Sequence, residues 1–103
     1  MLVGCTSAEI QANKPLNEGK QLAFTRSKGN CLACHAIDDG ELAGNIAPEL
    51  KNISQRFKTK LELKHFIWDA TVFNSETVMP PFGKNKILSE SEIDKIVDYL
   101  WQL

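Results

Sequence analysis

Residues 30–37 read Asn-Cys-Leu-Ala-Cys-His-Ala-Ile and bring two thiols and an imidazole together at Cys31, Cys34 and His35. Three chemistries use a Cys-x-x-Cys pair. A structural zinc site needs four ligands, usually from two such pairs or from a distant histidine pair. The remaining cysteine is Cys5 and the remaining histidine is His65, so zinc is poorly supplied. A thioredoxin-like dithiol belongs in a βαβ context, and no stretch alternates long enough to make a strand. The third chemistry is covalent haem attachment. The two intervening residues let the backbone turn so that both sulfurs form thioethers along one porphyrin edge. The imidazole of the next residue then reaches the iron through Nε2, and its Nδ1–H needs an acceptor such as a backbone carbonyl.

A second ligand would complete that iron site. The chain has two methionines, Met1 and Met79, and Met79 lies in Asn-Ser-Glu-Thr-Val-Met-Pro-Pro-Phe-Gly-Lys, residues 74–84. Pro80 and Pro81 fix two φ angles and remove two backbone donors. They also push Met79 itself towards extended backbone. Taken alone, a methionine is most often a core gap-filler. Downstream of Cys-x-x-Cys-His, a thioether on a stiffened loop reads as the second axial ligand, the kind that raises the potential of a His-ligated haem. The expected metal ligands are therefore His35 and Met79.

The elements that must position these groups are helical. Leu16, Gly19, Leu22 and Ala23 share one face of an expected helix over Leu16–Ser27, with Pro15 leading into it. Gly19 lowers helix propensity, which makes sense if another helix crosses there. Residues 36–58 show no sustained period, apart from a helical turn expected around Glu49–Ser54; so long an irregular segment suits a chain that wraps something other than protein. Thr59-Lys-Leu-Glu62 fits a capping box. Leu63, Phe66, Ile67 and Ala70 follow at helical spacing, and this helix is expected to end near Phe73–Asn74. Ser89-Glu-Ser-Glu92 is a second capping box, ahead of the stripe Ile93, Ile96, Val97, Leu100 and Trp101.

With 103 residues the chain suggests one domain, and its own core is modest. A net charge of −1 argues against nucleic-acid binding. No apolar run is long enough to span a bilayer. Residues 1–15 read as a tether, within which Leu-Val-Gly-Cys5 resembles a bacterial lipobox without a charged or apolar leader before it. The alternatives for Cys5 are a free thiol or a bond to a partner chain; a membrane enters only if Cys5 is lipidated.

In order, the helix, Cys-x-x-Cys-His, Pro48-Glu-Leu50, Met79-Pro and the last helix resemble class I cytochromes c. The strings Gly-Asn-Cys-Leu-Ala-Cys-His-Ala-Ile, Gly-Asn-Ile-Ala-Pro-Glu-Leu, Ile-Trp-Asp-Ala-Thr-Val-Phe-Asn-Ser-Glu-Thr-Val-Met-Pro-Pro-Phe-Gly-Lys and the C-terminal stretch from Ile87 more narrowly resemble the SoxX family. SoxX is the monohaem subunit of the SoxAX complex of bacterial thiosulfate oxidation. The resemblance covers residues 16–103, the expected cytochrome c domain. It implies an all-α class I cytochrome c fold, three to five helices around one covalently bound haem c. It implies that the Pro48 carbonyl accepts from His35 Nδ1–H, although the usual preceding glycine is Ala47 here. It places Gly19 against Leu100 or Trp101, where the terminal helices cross.

Other site residues are weighed in the same frame. Trp68, out of phase with its helix's apolar face, is a candidate N–H donor to a haem propionate or a cover for the core edge. Arg56 is a candidate propionate partner or a solvated loop cation. Phe82 and Phe57 are candidate haem-wall residues that plain core packing explains nearly as well. His65 reads as a surface residue. Lys28, Lys84 and Lys86 flank the haem loops and either steer an acidic partner or form a solvated face.

The resemblance further implies a periplasmic protein that is not catalytic alone. It would take single electrons from a SoxA-like dihaem or monohaem subunit, which itself meets the sulfur-carrier protein complex, and pass them to a small soluble acceptor. The alternative is a stand-alone or lipid-tethered monohaem cytochrome c that shuttles electrons to a terminal oxidase. A haem sensor or gas-binding module would need an easily displaced sixth site, and a proline-stiffened Met79 argues against it.

Overall fold

The structure is a computed structural model that describes residues 16–103. The tether expected over 1–15, with Cys5 and Pro15, lies outside the described residues. Among the described residues no strand forms, only one isolated parallel bridge between Ile37 and Leu50. Four helices carry the fold of the described residues: α1, which includes residues 16–24, α2 (Ile53–Arg56), α3 (Lys60–Trp68) and α4 (Glu90–Trp101). Two 3-10 turns, Cys31–Ala33 and Ala70–Val72, complete them.

α4 is the organising helix. Ser89 accepts from the Glu92 amide at 3.1 Å while the Glu92 carboxylate accepts from the Ser89 amide at 2.9 Å, so the expected capping box is complete. At α3 the Thr59 hydroxyl accepts from the Glu62 amide at 3.1 Å. α3 packs on α4 through Leu63, Ile67, Ile93, Ile96 and Leu100. Lys64 pins the rim of that contact, with Glu90 at 2.7 Å and Asp94 at 2.9 Å. Such exposed pairs each contribute about 0–1 kcal/mol, so burial of the apolar stripe holds the two helices together.

α4 buries a second face that its periodicity alone did not announce. Tyr99 is buried and meets Phe24 edge-on, ring centroids 6.2 Å apart. A Cβ on Gly19 would lie 2.1 Å from the Lys95 carbonyl oxygen and 2.9 Å from Tyr99 Cβ. The two helices therefore cross with backbone against backbone, which only glycine permits. The crossing falls at Lys95 and Tyr99, not at the expected Leu100 or Trp101. Leu100 is instead buried against the inner cavity, and Trp101 is half-buried.

Three boundaries differ from expectation. α1 ends at residue 24 instead of 27: the Thr25 hydroxyl turns back to the Gln21 carbonyl at 2.6 Å and the Gly29 amide takes the Leu22 carbonyl at 2.9 Å. α2 starts at Ile53, because Asn52 adopts left-handed backbone with φ 53° and cannot continue a helix from Glu49. α3 stops at Trp68, because Asp69 is extended and its carboxylate caps Thr71. The long segment 36–58 is tied back to the cysteine turn by Gly44 N–H to Leu32 O at 2.7 Å and Ala47 N–H to Cys34 O at 3.0 Å, and is closed on itself by Leu50 N–H to Ala36 O at 2.9 Å. Ala47 forms that turn without positive φ, so glycine is not needed there.

Candidate haem site

The cysteine turn and the Met79 loop face one another across a cavity of about 480 Å³, lined by Cys31, Cys34, His35, Pro48, Met79 and Phe82 among others. A smaller lobe of about 100 Å³ continues inward between α2, α3 and α4, and Cys31, His35, Met79 and Phe82 line it as well. Arg56 and Phe57 line only this inner lobe. The combined size lies within the range of roughly 300–1,000 Å³ typical of cofactor sites.

His35 is held by backbone. Its Nδ1 lies 2.6 Å from the Pro48 carbonyl oxygen. The tautomer that donates Nδ1–H to that oxygen leaves the Nε2 lone pair free to bind a metal. Cys31 stands in the apolar wall, and burial first of all pushes its thiol up to about 11. Met79 is half-buried, and its amide donates to the Thr77 hydroxyl at 3.1 Å. Two thiols, a backbone-oriented imidazole and a thioether line one apolar cavity, and this donor set fits a covalently bound haem.

Residues 16–103 match the cytochrome c family. The chain belongs to that family. The cytochrome's cofactor is accordingly one covalently bound haem c, and its activity is electron transfer. It is also similar to the crystal structure of SoxXA from P. pantotrophus, with a TM-score of 0.74 and 29% identity over 82% of this chain and 78% of that chain. No curated protein matches the chain. The all-α class I fold and the likeness to SoxX expected from the sequence are thereby borne out.

The remaining expected site residues divide. Arg56 reaches the cavity wall while its guanidinium donates to the Glu49 carbonyl at 3.2 Å. Phe82 is buried between both lobes and the core. Trp68 lines neither lobe. Its indole instead lies on Gly83, where an added Cβ would sit 2.0 Å from Trp68 Cδ2. His65 is exposed on α3. Lys28 frames the cavity mouth but is paired with Glu92 at 2.8 Å, and Lys84 faces Asp69 at 3.8 Å; Lys84 and Lys86 line neither lobe.

Two features escaped the sequence reading. The cavity mouth carries Ile46 and Val78, 73% and 79% exposed; isolated apolar residues in loops give no periodic signal. Asp69 is the second, a buried carboxylate whose only sequence trace is the Asp-x-Thr spacing of a side-chain turn. The Thr71 hydroxyl above all holds its carboxyl below the ordinary 3.8, against the upward push of burial; the Thr71 amide and then Lys84 add to the lowering. Because the folded value lies below the unfolded one, this stabilisation is fully present above the unfolded value and is lost as pH falls below 3.8 through the folded value. Asp69→Ala is expected to lower the thermal midpoint at neutral pH, and its gap to the wild type should close as pH drops through that window. A gap that stays constant across the window would contradict the assignment.

Proposed function

We propose that this cytochrome is a periplasmic, SoxX-like electron-transfer subunit. Cys31 and Cys34 would attach its haem, and His35 and Met79 would hold the iron. One observation carries the ligand set: all four side chains line the same apolar cavity. The haem supplies a reversible one-electron couple. The chain's own residues set the conditions for it. The Pro48 carbonyl fixes the imidazole plane and the free nitrogen of His35. Ile53, Leu63, Phe66, Ile67, Ile96 and Leu100 close the inner lobe against water. Pro80 and Pro81 limit the excursions of Met79 and so favour the closed loop. Arg56 places a cation beside the inner lobe, where a propionate would be balanced.

Similarity to SoxXA supports a SoxA-like partner subunit; in this proposal that subunit donates single electrons and a small soluble acceptor takes them on. The exposed Ile46 and Val78 at the mouth suit exchange through a partly open edge. The cytochrome would then take part in thiosulfate oxidation without touching the sulfur substrate itself. Co-expression with a SoxA-like subunit tests this reading: a stable complex should co-elute, and reduction of the partner should be followed by reduction of this haem. A monodisperse monomer that exchanges electrons rapidly with a terminal oxidase would instead show the shuttle.

A further inference from the structure

Met79 belongs to a loop whose two halves are secured very differently. On the N-terminal side the bonds are local: Glu76 N–H to Asn74 Oδ1 at 3.1 Å, Thr77 N–H to Asn74 O at 3.1 Å and Met79 N–H to Thr77 Oγ1 at 3.1 Å. Val72 and Val78 on that side are exposed, and the ring of Phe73, itself half-exposed, stacks on Phe66 of α3 at 5.3 Å, so the loosely held stretch is residues 75–78. On the C-terminal side the chain is attached to the end of α3. The Trp68 carbonyl, which would otherwise be one of the helix's unpaired terminal acceptors, accepts from both the Gly83 amide at 3.1 Å and the Lys84 amide at 3.2 Å.

The Trp68 ring completes the attachment. It is pressed so closely on Gly83 that an added Cβ would stand 2.0 Å from Cδ2, 2.2 Å from Cε3 and 2.6 Å from Cε2. Gly83 has no positive φ, so glycine is required here by space alone. Phe82, next in the chain, is buried in the core and lines both lobes of the cavity. The Phe82 carbonyl accepts from the Ile87 and Leu88 amides at 2.9 and 3.1 Å, closing the loop behind it. Between Phe82 and Met79 stand only Pro80 and Pro81, whose fixed φ angles transmit the position of one end to the other.

We propose that Trp68 is a positioning residue for Met79: through its ring on Gly83 and its carbonyl on two loop amides, it anchors the C-terminal half of the loop and keeps the thioether aimed into the cavity. This rests on the reading of Met79 as the sixth ligand. The loop then opens by pivoting on its loosely held N-terminal side, and the fraction of time it is open is set at Trp68. An external ligand for ferric iron binds only the open form, so its apparent affinity rises in proportion to the open fraction.

The test is an imidazole titration of the ferric holoprotein, read together with its far-red sulfur-to-iron charge-transfer band. Trp68→Ala should bind imidazole about tenfold more tightly than the wild type, as a tenfold larger open fraction requires. Trp68→Phe, which keeps a ring over Gly83, should restore most of the wild-type value. Gly83→Ala, whose methyl displaces the ring, should behave like Trp68→Ala, and in a Trp68→Ala background it should add little, because both act on one contact. A purely structural Trp68 would lower the thermal midpoint and leave imidazole affinity unchanged. Wild-type affinity in Gly83→Ala and in whichever Trp68 variant folds overturns the proposal, as does full additivity of the two changes. If the wild type has the far-red band and these affinities do not move, only the positioning role fails; if the wild type lacks the band, the Met79 assignment fails and the positioning role with it.

Discussion

Replacing Cys31 and Cys34 together by alanine is expected to leave the chain largely unfolded, with most of its far-UV helical signal gone. The helices are too short to stand alone. α2 has 4 residues, α3 has 9 and α4 has 12, whereas isolated helices below about 12–15 residues are marginal in water. They must be held by packing, and the centre of that packing is a cavity. Its outer lobe alone measures about 480 Å³. At about 24 cal/mol per Å³ of unfilled cavity, the loss is on the order of 10 kcal/mol, a ceiling because the mouth admits water. That is comparable with the whole stability of a small domain, about 5–15 kcal/mol. The loops suffer further: residues 36–50 reach the cysteine turn and His35 through the Gly44–Leu32, Ala47–Cys34 and His35–Pro48 hydrogen bonds. Circular dichroism and amide exchange of the double variant provide the check. A native-like spectrum with protected α3 and α4 amides would show that the protein core suffices without the haem.

Met79→Ala is expected to abolish the far-red charge-transfer band, open the sixth position and lower the midpoint potential by on the order of 0.1 V, a modest part of the roughly 0.8 V span over which axial ligands set haem potentials. The direction follows from ligand chemistry. A neutral, soft thioether favours the reduced metal, and His/Met ligation raises the potential. Its loss to water therefore favours the ferric state, by roughly fifty-fold for 0.1 V at about 59 mV per decade in a one-electron couple. Protein-film voltammetry reads this shift. Unchanged voltammetry would transfer the sixth position to another residue. His65 is the remaining imidazole, and it is exposed on α3 and lines neither lobe of the cavity.

What was legible in the sequence was local. The proposed roles of Cys31, Cys34 and His35 rest on contiguity, that of Met79 on its two prolines read together with Cys-x-x-Cys-His, and α4 shows a capping box and an apolar stripe that form as read. What was not legible depends on contacts between distant segments. Tyr99 falls off the main stripe of α4 and is buried only because α1 crosses at Gly19. The end of α3 follows from an Asp69 side chain that outcompetes helix propensity at Ala70, a residue otherwise in phase with Leu63 and Ile67. Trp68 illustrates the same limit at the site. Its position off the apolar face was visible, but its destination was set by where α3 stops and where Gly83 lies. The partner at His35 Nδ1, by contrast, came from the family resemblance, since nothing in residues 47–50 alone points back to His35.

The most direct test of the account is the visible and far-red spectrum of the native ferric protein at neutral pH. His35 and Met79 ligation of a single haem c predicts the sulfur-to-iron charge-transfer band, together with a haem spectrum that stays with the polypeptide after acid–organic extraction. A covalently bound haem without that band would contradict the ligand set on which the electron-transfer mechanism depends.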